Sequence, residues 1–305
     1  MSRVRVLSYN VRYDNRDDSH DAWYARRGGV ADLVRFHRPD LVAFQEPVAG
    51  QRHDLDERLS DYDLVGEGRE GGDEGEGCPI GVRTDRWRVV ADGTFWLSET
   101  PTEPSTGWGA AHPRVTTWAR VRPRAATDDG VAPADAPLVV ANTHFDHMSA
   151  RARRESARLL AERLPDIAAE SAAESTRGTE DGVDETPLVL VGDLNCTAGS
   201  DPYRILTGSS PAADGRRDDA DTGDNAADTD GDAAGQFRDA AGLADIRHGP
   251  RTSLTDFTRL IAGRRIDHVL VAPGVDVEAF GTLADRDDRG RYPSDHLPVL
   301  ARLRL

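Results

Sequence analysis

Short apolar runs of strand length, spread through the whole chain, constrain its fold more than any other feature. They fall at 3–9, 41–45, 62–65, 80–83, 87–90, 116–121, 138–143, 188–191, 266–271 and 299–303, rich in Val, Leu, Ile and aromatic residues. That is many strands for one sheet. Helical patterns lie between them at 23–36, 51–59, 150–164 and 202–206, the third opened by Ser149 as a cap. Two packed sheets flanked by helices bury such a set best, so the expectation is α/β. A length of 305 residues fits one domain, 1–305, without an internal repeat. Four segments, 66–77, 122–137, 168–186 and 211–235, are rich in Gly, Pro, Ala, Asp or Glu with little to bury, and read as solvated loops or insertions.

Several runs end in groups suited to chemistry. Val189-Leu190-Val191-Gly192 delivers Asp193 and, two positions on, Asn195. Strand side chains alternate, so the two would project to one side if the extended geometry continued through Leu194. A carboxylate can take or orient the proton of a water, and a carboxamide can donate to a developing negative oxygen. An Asp-x-Asn turn is the plainer alternative. Asn10 ends the first run, Gln45-Glu46 the second, and Asn142-Thr143-His144-Phe145-Asp146-His147 a third. Asp267 stands at the mouth of a fourth, and Ser294-Asp295-His296 leads into the last. Singly each reads as a cap or turn; six together point to a site.

The net charge is −16, and every Lys/Arg-type residue is arginine. A lysine-free, Asp-rich surface suits concentrated salt, where screening shrinks to about 3 Å at 1 M. The balance argues against a broad basic surface for nucleic acid, though not against a polyanionic substrate under screening. No apolar run reaches membrane-spanning length, which leads to the expectation of a soluble, cytoplasmic protein. Cys78 and Cys196 show neither a disulfide nor a zinc spacing and read as buried thiols. A monomer without a protein partner is expected.

The ordered series Asn10, Gln45-Glu46, Asn142-Thr143-His144, Gly192-Asp193-Leu194-Asn195, Asp267 and Ser294-Asp295-His296 resembles the endonuclease/exonuclease/phosphatase superfamily. Phe95-Trp96-Leu97-Ser98-Glu99-Thr100-Pro101, Gly107-Trp108 and Pro113-Arg114 are similar to a group of compact microbial hydrolases within it. The resemblance implies a DNase I-like, four-layered α/β sandwich of two mainly antiparallel sheets that cleaves phosphate esters with Mg2+ or Mn2+. It implies Glu46 as principal metal ligand with Asn10 and Asp295, and Asp267 as the carboxylate that orients His296. His144 would contact the scissile phosphate, Asn195 would stabilise the transition state and Asp193 would orient the attacking water. Arg114, Asn142 and Trp108 are the substrate-binding candidates, Arg114 through its planar fork or else in a surface ion pair. Asp146 and His147 read as loop or capping groups before the helix at 150, or else as an extension of the site, and His268 as structural.

Abasic-site nucleases carry an aspartate where this chain has Arg12, and no arginine cluster resembles the loops of duplex nucleases. The expected activity is a metal-dependent phosphodiesterase or nuclease, of endonuclease or 3′-5′ exonuclease type, on nucleic acid or a nucleotide-like ester. A phosphatase of a small sugar, inositol or lipid phosphate is the alternative, and a non-catalytic binding protein on the same fold is the remaining one.

Overall fold

The computed structural model describes residues 3–124, 137–175, 186–208 and 236–305. The insertion at 211–235 and the centres of those at 122–137 and 168–186 lie outside them. In chain order the elements are β1 (Arg3–Asn10), a 3-10 helix (Arg16–Asp21), α1 (Trp23–His37), β2 (Leu41–Gln45), α2 (Ala49–Arg58), β3 (Tyr62–Val65) and β4 (Ile80–Arg83). Then come β5 (Trp87–Trp96), β6 (Val115–Pro123), β7 (Leu138–His144), α3 (Ala150–Ser175), β8 (Leu188–Asp193) and α4 (Asp201–Thr207). The chain finishes with β9 (Arg238–Asp239), α5 (Ala240–Leu243), β10 (Ile246–His248), β11 (Asp267–Val271), β12 (Asp276–Thr282) and β13 (Val299–Arg304).

The strands form a seven-stranded sheet, β10-β12-β13-β1-β2-β4-β3, and a six-stranded sheet, β5-β6-β7-β8-β11-β9. Pairing is mainly antiparallel; β1 with β2, β7 with β8 and β10 with β12 are parallel. Strand alternation sorts the core into three layers. Val4, Val6, Leu41 and Ala43 of one sheet meet Leu138, Val140, Val189, Val191, Val269 and Val271 of the other. The opposite faces pack outward, Leu7, Tyr9, Val42 and Phe44 under α1 and α2, and Val139, Ala141, Leu188, Leu190 and Leu270 under α3 and α4. Helix, sheet, sheet and helix make four layers, as expected.

The same alternation places the site. Following the inner face along each strand leads from Val4 and Val6 to Ser8 and Asn10, from Ala43 to Gln45, from Val140 to Asn142 and His144, and from Val191 to Asp193. Asp267 opens β11 on that face, paired with Asp193. One end of the intersheet layer is therefore polar. Gln45 Nε2 donates to Ser8 Oγ (3.1 Å) and across the layer to Asn142 Oδ1 (2.7 Å), tying the sheets together there.

Three expectations change. The segment at 168–186 is not wholly a loop, because α3 runs on through Pro165 to Ser175. Ala157, Leu160, Leu164 and Ala168 keep one apolar stripe buried at helical spacing, and that burial outweighs the hydrogen bond the proline removes. β5 extends to Trp96, past a bulge between Val89 and Ala91. β12 is not among the expected strands, since its two buried apolar residues, Val277 and Phe280, stand three apart where a bulge between Val277 and Ala279 breaks the alternation, and the rest are polar or small.

Candidate active site

Asp193 is the centre of the polar end. Its Oδ2 accepts from Asn10 Nδ2 (3.0 Å) and lies 3.5 Å from His144 Nε2 and 3.7 Å from His296 Nε2. Thus two imidazoles flank one carboxylate. Gly192 makes this register possible: a Cβ there, at φ 146°, would meet Thr143 O at 1.9 Å, so β7 and β8 close on each other just before their catalytic ends. The strand stops at Asp193. Asn195 is left-handed (φ 47°) and its N–H donates to Asp193 Oδ1 at 2.8 Å, so the Asp-x-Asn turn is real and the extended projection through Leu194 is not. The turn serves the site all the same, because it carries Asn195 Nδ2 to 3.0 Å from His144 Nε2.

The two histidines are held differently. His296 Nδ1 donates to Asp267 Oδ2 at 2.9 Å. Burial alone would lower its pKa, but Asp267 and then Asp193 overcome that and hold it well above the ordinary value. For His144, burial and then Arg114 push the pKa well below. Asp193 is pushed up to about 7, first by burial and then by the charge of Asp267, against the pull of His296.

Glu46 sits just past β2 at φ 73°, its Oε1 accepting from Asn10 Nδ2 (2.8 Å) and its Oε2 from Tyr13 N–H (2.9 Å). Arg12, Glu46 and Asn195, three of the non-glycine residues at positive φ, lie at this end, where strain persists because surrounding bonds over-determine it. Glu46, His144 and Asp193 bring ligand atoms within 4.8 Å of one another, as do Asp193, Asp267 and His296. Asp267 Oδ1 is buried without a hydrogen-bond partner. Converging carboxylates and a buried bare oxygen are costly without a compensating cation, and an oxygen-rich set suits a hard divalent ion, so the residues fit a metal site.

Asp295 stands apart from both groups: its Oδ2 pairs with Arg12 Nη1 at 2.9 Å, and Arg12 also grips Asp18. Sequence reasoning noted Arg12 only as a departure; its left-handed backbone and its two carboxylate partners carry no local sequence signal.

Two substrate-binding candidates need correction. Asn142 is fully buried, its Nδ2 donating to Phe44 O (2.8 Å) and Pro79 O (3.0 Å) and its Oδ1 accepting from Gln45, so it joins the sheets and has no group left for a substrate. Arg114 is neither a surface ion pair nor a free fork. It is 6% exposed, behind His144, with Nη1 at 3.2 Å from His144 Nδ1, Nη2 at 3.0 Å from His147 Nδ1 and Nε at 3.5 Å from Asp146 Oδ2. Trp108 is half-buried, packed on the α3 side of the core beside the loop that starts α3. Asp146 caps that loop through Met148 and Ser149 N–H, Ser149 Oγ accepts from Ala152 N–H, and both cysteines are buried and free, as expected.

A family model described as the Endonuclease/Exonuclease/phosphatase family matches residues 7–296. The chain belongs to this family. A mannosyl-6-phosphatase from Bacteroides thetaiotaomicron is similar at 30% identity, with 99% of this chain and 100% of that one covered and a TM-score of 0.79. A family protein from Bacteroides vulgatus matches at 30% identity, covering 100% of both chains, with a TM-score of 0.79. D. rerio TDP2 complexed with a single-strand DNA product, at 17% identity, full coverage of both chains and a TM-score of 0.65, shares the fold. A comparison with curated proteins gives no match. As a member of the endonuclease/exonuclease/phosphatase family the chain is a phosphate-ester hydrolase dependent on a divalent metal. Among the described residues no helix is long and apolar enough to cross a membrane.

Proposed function

We propose that the chain hydrolyses a phosphate monoester on a small polar molecule of the sugar-phosphate class, by attack of water on phosphorus. The reading rests on Asp193 Oδ2 standing between His144 Nε2 (3.5 Å) and His296 Nε2 (3.7 Å). Asp193 aims the water and takes its proton as the water oxygen bonds phosphorus, the P–O bond to the alcohol breaks with the alkoxide taking up a proton from solvent, and His296, oriented by Asp267, exchanges a proton with Asp193 to restore it. His144 and Asn195 place N–H donors where the phosphoryl oxygens gain charge. Mg2+ or Mn2+, held by Glu46 with Asn10 beside it, would supply positive charge that offsets the charge of the ester and its leaving group.

The relative that acts as a mannosyl-6-phosphatase supports the substrate class. The net charge of −16 agrees with a small substrate over a polyanion in dilute buffer. Cleavage of a phosphodiester, as by a nuclease, is the second reading, favoured by the shared fold of D. rerio TDP2, whose structure is complexed with a single-strand DNA product.

The test is a panel of hexose phosphates, inositol phosphates, nucleotide monoesters, a chromogenic diester and single-stranded DNA and RNA, with Mg2+ or Mn2+, at low and high salt. Hexose phosphates should give the highest kcat/KM, and EDTA should abolish it. Preference for the diester or for a nucleic acid selects the second reading. Folded protein inert on the whole panel, or turnover that survives EDTA, overturns both.

A further inference from the structure

A guanidinium has only donors, and a neutral imidazole has one donor and one acceptor nitrogen. Arg114 Nη1 points at His144 Nδ1 from 3.2 Å, which is a hydrogen bond only if that nitrogen carries the ring's lone pair. The proton of His144 then sits on Nε2, facing Asp193. Asn195 Nδ2, committed as a donor to Phe145 O at 2.9 Å, approaches the same Nε2 to 3.0 Å. Two donors thus converge, and the carboxylate oxygen beside them, Asp193 Oδ2, stands 3.5 Å from Nε2, beyond an ordinary hydrogen bond. An anionic oxygen seated beside the pair, within reach of both nitrogens, satisfies both.

The tautomer decides a second matter. Glu46, His144 and Asp193 bring ligand atoms close enough to share a cation, and a histidine in such a set ordinarily favours zinc or another nitrogen-preferring metal. With its lone pair turned to Arg114, His144 has none to give. We infer that Arg114 is a positioning residue that locks His144 as an Nε2–H donor, so that His144 binds a phosphoryl oxygen, stays off the metal and leaves the cation an oxygen-only ligand set. Arg114 is itself fixed from behind, its Nη2 on His147 Nδ1 and its Nε towards Asp146. The identity of the incoming oxygen rests on the phosphoesterase reading; the tautomer and the metal preference do not, and are measured without turnover.

Long-range 1H–15N correlation spectra of the metal-free protein, with His144 assigned by the signals lost in His144→Gln, should show a protonated Nε2 and a bare Nδ1. Calorimetric titration with Zn2+ alone and with Mn2+ alone should show that His144→Gln leaves both affinities in place. Arg114→Ala frees the ring and should raise Zn2+ affinity about tenfold or more, with Mn2+ changed far less. Arg114→Lys, which can still only donate, should keep the wild-type spectrum and should serve if the alanine variant does not fold. A protonated Nδ1 in the wild type, or a loss of Zn2+ affinity in His144→Gln with Arg114 intact, overturns the assignment whatever the substrate panel gives.

Discussion

β11 presents two neighbouring residues to opposite sides of its sheet, and each joins an Asp–His pair of different character. On the inner face Asp267 holds His296 at 2.9 Å, with one carboxylate oxygen unpartnered and the far ring nitrogen turned to Asp193. On the outer face His268 lies between Asp239 (3.6 Å) and Arg265 (3.1 Å), and its Nε2 donates to Cys196 O at 2.9 Å. Asp239 is filled as well: it accepts from Arg265, Tyr203 O–H (3.0 Å) and Ala241 N–H (2.9 Å). Both pairs are buried. The difference is vacancy: a pair with every lone pair and proton satisfied can only hold the fold, and one with an open oxygen and an open nitrogen can exchange a proton with something new.

Substitutions on the two faces should separate these roles. Asp267→Asn keeps the shape and removes the charge that favours protonated His296, so kcat should fall by about 10²–10⁴-fold. The same change relieves the repulsion that Asp267 imposes on Asp193, so denaturant unfolding of the metal-free variant should show equal or greater stability. A large loss of stability with retained kcat would erase the contrast. On the outer face, Asp239→Asn leaves Arg265 unpaired in a buried setting and should cost about 3 kcal/mol in the same unfolding measurement, with kcat of the folded fraction within about twofold of the parent.

Acid titration sharpens the outer-face result. Burial pushes the Asp239 carboxyl up, but the nearby His268 and the charge of Arg265 outweigh it and hold the group below the usual carboxylate range. Its stabilisation is therefore present above pH about 4, the unfolded value, and is lost as pH falls through the lower folded one. Asp239→Asn should flatten the acid limb of stability below pH about 4, and Asp267→Asn should leave it in place. The smallest expected effect is Tyr203→Phe, which deletes one of the bonds to Asp239 and should cost about 1 kcal/mol without changing kcat.

Which of these pairs mattered was partly written in the sequence. Strand alternation turns His268 away from Asp267, and the ordered strand-end groups marked Asp193, Asp267 and His296 for one place, where the structure brings them together. Strands with continuous apolar runs, such as β2 and β4, were legible to the residue because both faces are buried. β12 was not, since its bulge puts buried Val277 and Phe280 three positions apart and leaves no period of two to read. Arg114 and Asn142 were misplaced for a related reason. Both stand beside strand-end motifs, and only tertiary packing shows that one lies behind a histidine and the other between two sheets.

The pairing of β1 carries a consequence for biosynthesis. β1 holds Asn10 and is bounded on one side by β2 and on the other by β13, with Arg3 opposite Arg304. A ribosome releases the first of these strands long before the last, and pairings so distant along a chain form slowly. Ser294, whose Oγ bonds Asn10 O at 2.8 Å, and His296 arrive with that final stretch. On the proposed mechanism the site is complete only once β13 has docked beside β1.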